Sequence, residues 1–305
     1  KNPQYYFREG FTWSHTSTSG FSGRYLPQGT IFNVEAPTFY PMARTDLGYI
    51  EGLLNSSVLE CLFATISLNL HYMAGDMAKI PVLECEDPNL RDTIRSSVTR
   101  NIAISRSDWD AFETSWDFKW HPLAPSAHER TEQLSHGMNP DARAASVSLI
   151  SERFKRWSAN CDERFNELKT NEEELNRIFA RIYGMEGEVP IEVPDDKVSV
   201  RRADLVRDVK SLVSYGVGCI MGRYSTFAPG LILADAQQTV DDFRAKVFDA
   251  GFLPDEDAIV PVLDGEWFGD DIVAQFRKWL EVTYGADTLV ENVRFIEDAL
   301  GKDLR

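Results

Sequence analysis

The sequence predicts an α+β protein. A mixed α/β domain over residues 1–122 is followed, after a linker at 123–145, by a mainly helical domain over 146–305 built on one long coiled-coil-like helix. Three observations predict it. Residues 5–40 are rich in Gly, Ser, Thr, Pro and aromatic side chains, the composition of short strands joined by turns. From Ser146 to Tyr183, apolar residues recur at steps of three and four. Between them, residues 124–143 are polar and carry Pro125, Gly137 and Pro140, which suits a connection.

Each element has its own signal. After the strands and loops of 5–40, Ile50, Leu53, Leu54, Val58, Leu62 and Ile66 fall at helical spacing, so 49–70 reads as a helix with Asp46 as its N-cap. Residues 77–82 read as a short strand after a polar turn, and 90–104 as a further helix. Trp109, Phe112, Trp116 and Trp120 are spaced by three and four, which suits a helical stripe buried against a core. The same aromatic cluster could also stack on a flipped base. The long seam runs through Ile150, Phe154, Trp157, Cys161, Phe165, Leu168, Leu175, Ile178 and Ile182, and Gly184 ends it as a C-cap residue. A loop at 190–198, a helix over 201–224, an irregular stretch at 229–265 and one or two helices over 269–300 complete the chain.

Composition narrows the possibilities. A chain of 305 residues with 43% hydrophobic and 26% charged residues can bury a sizeable core. No apolar run approaches the roughly 18 residues that a membrane span needs, so no membrane partner is expected. Cys61, Cys85, Cys161 and Cys219 form no C-x-x-C pair, which argues against structural zinc. No secretion signal is seen, so reduced thiols and a cytoplasmic location are expected. The net charge of -16 excludes nucleic-acid binding by the whole surface, since phosphate contacts need Lys and Arg. The charge is uneven: residues 1–100 hold 8 basic and 10 acidic side chains, residues 229–305 hold 7 and 17. Any surface that meets DNA is expected in the N-terminal third.

Within that third, Thr12–Arg24 presents Ser14, His15, Thr16, Ser17, Thr18, Ser19 and Ser22 with no acidic residue among them. Short hydroxyl side chains bond to phosphate oxygens or base edges, and an Arg guanidinium forks onto guanine O6 and N7. The same composition suits a solvated loop whose Arg24 pairs with a carboxylate. Lys79, beside a turn, suits a phosphate contact or a solvated position before an edge strand. The candidate nucleic-acid contacts are Ser14, His15, Ser17, Thr18, Ser19, Ser22, Arg24 and Lys79. His71 reads as a capping or core residue.

No catalytic residue emerges. Gly216, Gly218 and Gly222 imitate a dinucleotide-binding turn, but the third Gly falls one position late and no strand precedes it. Close helix packing explains these small residues better. His121, His128 and His136 match no familiar zinc spacing and read as linker residues, and His128-Glu129 lacks the second His of H-E-x-x-H. Walker A, G-x-S-x-G and the Asn/Asp-Pro-Pro-Tyr/Phe adenine-pocket motif are all missing. Neither a metal nor a cofactor site is expected in this chain.

Several blocks nevertheless resemble a known family. They are Glu9–Gly29 with Thr12-Trp13-Ser14 and Arg24-Tyr25-Leu26-Pro27, then Leu53-Leu54-Asn55-Ser56 with Lys79-Ile80-Pro81. Ser107-Asp108-Trp109, Glu174–Phe179, Val200–Leu205 and Gly218–Tyr224 extend the match over nearly the whole chain. The sequence resembles the PglX family, the adenine-specific DNA methyltransferases of BREX phage-defence systems. The resemblance implies that residues 1–122 are a target-recognition domain for double-stranded DNA. It also implies an upstream Rossmann-like domain of the same polypeptide that uses S-adenosylmethionine to methylate adenine N6. Beginning at Lys1 rather than Met, the chain reads as the C-terminal part of a longer polypeptide and is not expected to be catalytic alone. The alternative is a protein-interaction scaffold whose acidic helical half docks other defence-system subunits.

Overall fold

In a computed structural model that describes residues 3–18, 20–41, 46–66, 71–125, 149–248, 250–263 and 268–304, the chain folds as two units that are interleaved in sequence. One comprises Lys1–Arg106 with Arg164–Val200, the other Ser107–Glu163 with Arg201–Arg305. The architecture is mixed α+β.

The first unit holds a small antiparallel sheet. Strands β1 (Gly10–Trp13), β2 (Gly23–Leu26) and β3 (Thr38–Phe39) lie in the order β2-β1-β3. Central β1 pairs Thr12 with Arg24 on one side and with Thr38 on the other. Helix α1 (Leu47–Leu54) starts where Asp46 accepts the Tyr49 amide at 3.2 Å, so the expected N-cap is observed.

The expected helix over 49–70 is instead two helices. Asn55 Nδ2 adds a second bond to Glu51 O at 3.1 Å, and Ser56 donates to Leu53 O from both its amide and its Oγ (2.7 Å), so the Leu53 carbonyl that would continue the helix is taken. Helix α2 (Ser57–Ile66) then starts afresh, its Ser57 amide donating to Asn176 Oδ1 at 2.8 Å. Residues 67–70 lie outside the described residues.

The expected strand at 77–82 is absent. Helix α3 (Ala74–Met77) runs into a turn in which Lys79 N donates to Asp76 O and Ile80 N to Met77 O. Ile80 turns inward and Pro81 has no amide to offer a ladder. Helix α4 (Pro88–Trp109) opens with proline at its first position and outruns the expected 90–104.

The 34-residue helix α5 (Ile150–Tyr183) contributes residues 164–183 to this unit and 150–163 to the other. Leu175, Ile178 and Phe179 pack with Tyr49, Leu53, Ile94 and Val98. Gly184, at φ 66°, closes the helix, and Met185 N donates to Ala180 O at 2.8 Å in the Schellman pattern.

The second unit is helical. Helices α6 (Leu205–Ile220) and α8 (Ile272–Tyr284) are capped by Asp204 and Asp271, and α9 (Leu289–Leu300) follows. The glycines do permit close packing: a Cβ on Gly216 would fall 2.5 Å from the Phe276 ring, and one on Gly218 would fall 2.7 Å from Tyr224. The stretch 229–265, expected to be irregular, contains helix α7 (Val240–Lys246). Its capping box, Thr239 with Asp242, is a signature that the sequence does carry.

The expected buried stripe over 109–120 does not form. Ser115 Oγ donates to Asp110 at 2.6 Å and accepts the Asp117 amide at 3.0 Å, which breaks the segment into turns. Phe118 goes into the core, while Trp116 is 99% exposed. His121 is buried rather than part of a linker, with Nδ1 accepting the Leu123 amide at 3.2 Å. Desolvation lowers its pKa from 6.5 to about 3. His128 and His136 lie outside the described residues, as does most of the expected linker.

Candidate nucleic-acid interface

The candidate contacts sit on the loop 14–22 that joins β1 to the edge strand β2. The loop is pinned at its base by aromatic packing and by hydrogen bonds. Phe11, Trp13, Phe21, Phe63 and Tyr72 form one cluster, with Phe63 and Tyr72 ring centroids 4.8 Å apart and Phe21 and Tyr72 5.2 Å apart. Trp13 Nε1 donates to Tyr72 O at 2.7 Å, and Tyr72 N donates to His15 O at 2.8 Å. His15 N donates to Glu35 O at 3.0 Å. At the far end, Gly23 N donates to Asn55 Oδ1 at 2.9 Å. Only glycine fits at 23, because a Cβ there would lie 1.8 Å from the Phe11 ring.

With the base fixed, the hydroxyl side chains occupy the accessible side. Thr16, Thr18 and Ser22 are exposed, and Ser14, His15 and Ser17 are half-buried. Ser19 lies outside the described residues. Arg24, exposed on β2, approaches Ser14 Oγ at 3.4 Å and forms no ion pair with any described carboxylate. The alternative in which a carboxylate neutralises Arg24 is therefore not observed.

Lys79 is not joined to this group. It pairs with Asp76 of its own turn at 2.7 Å. The fold also brings an acid toward the loop: a Cβ on Gly20 would lie 2.7 Å from Glu60 Oε1. On β2 beside Arg24, Tyr25 donates to Glu9 at 2.7 Å, and that bond with burial raises its pKa to about 12. Glu51 on α1 is 4% exposed, and desolvation followed by repulsion from Glu9 raises its pKa to about 7.

One member of the loop surface escaped the sequence. Thr16 forms an isolated bridge with His71, and its Oγ1 lies 3.0 Å from His71 Nδ1 and 3.3 Å from His15 Nδ1. The two imidazole centroids are 5.2 Å apart. His71 is exposed rather than a core residue, and residues 67–70 that precede it lie outside the described residues. Its position 55 residues along the chain gave no local signal.

In the other unit, Trp116 and Trp109 are exposed, but Asp110, Glu113 and Asp117 flank them in sequence and would repel phosphate. The α6 glycines Gly216 and Gly218 form no nucleotide-binding turn, since the Phe276, Trp279 and Tyr224 rings lie against them. Among the described residues, no cluster of three or more His, Cys, Asp or Glu could hold a metal, and no helix is long and apolar enough to cross a membrane.

No family model matches the chain. It is 35% identical over 303 residues to the adenine-specific methyltransferase PglX of Lacticaseibacillus casei (strain Zhang). It is 29% identical over 318 residues to the adenine-specific methyltransferase BrxX of Escherichia coli O9:H4 (strain HS). These matches cover 99% and 98% of this chain but only 23% and 24% of the relatives' own lengths.

Proposed function

We propose, for a chain that belongs with the PglX-type adenine-specific methyltransferases along nearly its whole length, that it is the DNA-recognition region of such an enzyme. In this reading the methyl-transferring domain, with its S-adenosylmethionine, lies in an upstream part of the same polypeptide. The enzyme modifies adenine N6 in double-stranded DNA within a phage-defence system of the bacterial cytoplasm. This chain chooses the site, and the upstream domain receives the flipped adenine.

The observation that carries the reading is Arg24. An exposed guanidinium without a carboxylate partner among the described residues, on an edge strand beside a loop of hydroxyls, is equipped to fork onto a base edge while Ser and Thr hold the backbone. The rigid base beneath the loop fixes the register of those contacts. Lys79, already paired with Asp76, adds a weaker and more diffuse phosphate contact.

The test is methyl transfer from labelled S-adenosylmethionine to unmethylated DNA by the full-length protein, partner proteins present, with the modified sites mapped by sequencing. Substituting Arg24, or Ser17, Thr18 and Ser22 together, should relax or shift the sites. Unchanged sites and rates in both variants would move recognition out of this loop. Deleting residues 1–122 is a poorer test, because 164–200 would lose their packing partners.

A second reading has its own observation. Phe248 (94% exposed), Val290 (82%) and Val262 (78%) stand on the acidic stretch 229–305. Apolar side chains among carboxylates suit a protein partner rather than DNA. Specific capture of purified defence-system subunits by the full chain, lost when these residues become Ser, would support a docking role beside recognition.

A further inference from the structure

The Thr16 hydroxyl touches the Nδ1 atoms of both His15 and His71. A hydroxyl has one proton, so it donates to one Nδ1 and must accept from the other. When both rings are neutral, one imidazole therefore carries its proton on Nδ1 and the other on Nε2. The tautomer of either ring fixes that of its neighbour. The backbone holds the relay together, through the Thr16–His71 bridge and the Tyr72 N to His15 O bond of 2.8 Å.

We infer that His71 is a positioning residue of the recognition loop: acting through Thr16, it sets whether His15 presents a donor or an acceptor at Nε2 to the DNA. This rests on the recognition reading proposed above. A base edge is read as a pattern of donors and acceptors, so an imidazole free to exchange tautomers reads nothing, whereas a locked one discriminates. The Nε2 atom of His15 is the group so specified, on a half-buried side chain that meets Thr16 through Nδ1. His71 need not touch DNA for this. Thr16→Val tests the same link from its centre, since Val keeps the β-branched shape and the backbone bridge while removing the hydroxyl.

The experiment has two arms on the full chain. In the first, selectively 15N-labelled histidine is observed by NMR without DNA. The tautomer ratio of His15 should differ from that of the unsubstituted protein in both His71→Phe and Thr16→Val, since each removes one partner of the relay. In the second, a randomised duplex DNA library is selected on each protein and sequenced. His71→Phe and Thr16→Val should lose discrimination at one base pair by on the order of tenfold. An unchanged His15 ring in His71→Phe overturns the inference whatever the DNA shows. A changed ring with the same selected sequences overturns it as well. If the unsubstituted chain selects no duplex, the recognition reading fails and the inference falls as to DNA, while the NMR arm still reports the relay.

Discussion

The amide of Gly23 donates to the side-chain oxygen of Asn55 at 2.9 Å, across 32 residues of chain. Asn55 thus performs two tasks. Its side-chain nitrogen adds to the Glu51 carbonyl a second bond at the end of α1, and its oxygen fixes the start of β2, one residue from Arg24. Asn55→Ala should cost about 1–2 kcal/mol in urea unfolding and loosen the loop end, read as faster hydrogen exchange at Gly23. Asn55→Asp should retain the acceptor and recover part of the loss. Equal exchange at Gly23 in all three proteins would show that the bond contributes nothing.

Arg24→Ala should leave stability within about 0.5 kcal/mol of the unsubstituted protein, because no ion pair is lost. If Arg24 reads a base, the same change should cost about 1–3 kcal/mol of discrimination at one position. Arg24→Lys should rescue overall affinity but not discrimination, since an ammonium lacks the fork. Mapped methylation sites and duplex selection would check both.

Gly23→Ala forces a methyl group into the Phe11 ring, which is itself fully buried. The expected loss is at least about 1–3 kcal/mol, the range for overpacked cores. Pairing it with Phe11→Leu should recover part of the loss if the clash is the cause.

His121 gives stability an acid limb. Its folded pKa of about 3 lies below the ordinary 6.5, so between those values the unfolded chain binds the extra proton. Its contribution is complete above pH 6.5 and is lost as pH falls toward 3, with a slope of up to about 1.4 kcal/mol per pH unit. Urea unfolding of His121→Asn should show a flatter profile over that window, and an identical slope would contradict a buried neutral imidazole.

Glu51 acts with the opposite sign. Its folded pKa of about 7 exceeds the ordinary 4.5, so the folded state holds a proton that the unfolded chain has released. Stability from this group is complete below pH 4.5 and is lost as pH rises through about 7. Glu51→Gln, uncharged throughout, should be the more stable protein above pH 7 by on the order of 1–3 kcal/mol and comparable below pH 4.5. A Gln variant weaker at pH 8 would mean that the Glu51 carboxylate has a stabilising partner when charged.

Periodic features were legible in the sequence. The α5 seam and its Gly184 stop follow from local spacing and backbone chirality, and the Asp46 cap from one side chain beside a helix start. What escaped depended on side chains acting on the backbone. Asn55 and Ser56 broke a helix whose apolar period runs on unbroken, and Ser115 dissolved a stripe of aromatic residues that looked helical by spacing. The Thr239–Asp242 box has its signal in the sequence but stands amid turn-forming residues that mask a helix of seven residues. In the candidate site, the hydroxyl-rich loop and Arg24 were visible as composition. His71 was not, because a 55-residue separation joins it to Thr16 and no pattern along the chain encodes that bridge.

The interleaving of the two units also constrains inheritance. A ribosome releases residues 107–163 of the second unit before it delivers 164–200, which the first unit needs to be complete. A single recombination crossover at any point between 107 and 200 would give a daughter gene whose first unit joins segments from different parents. Where the crossover falls before residue 176, the hybrid works only if Asn176 of one parent meets Ser57 of the other, and Phe179 meets Gly52, in the geometry that both ancestors shared. Exchange of this unit without the other requires three crossovers within the chain, at the boundaries after residues 106, 163 and 200. Substitutions confined to the loop 14–22 avoid that requirement, and are the shorter genetic route to a new surface.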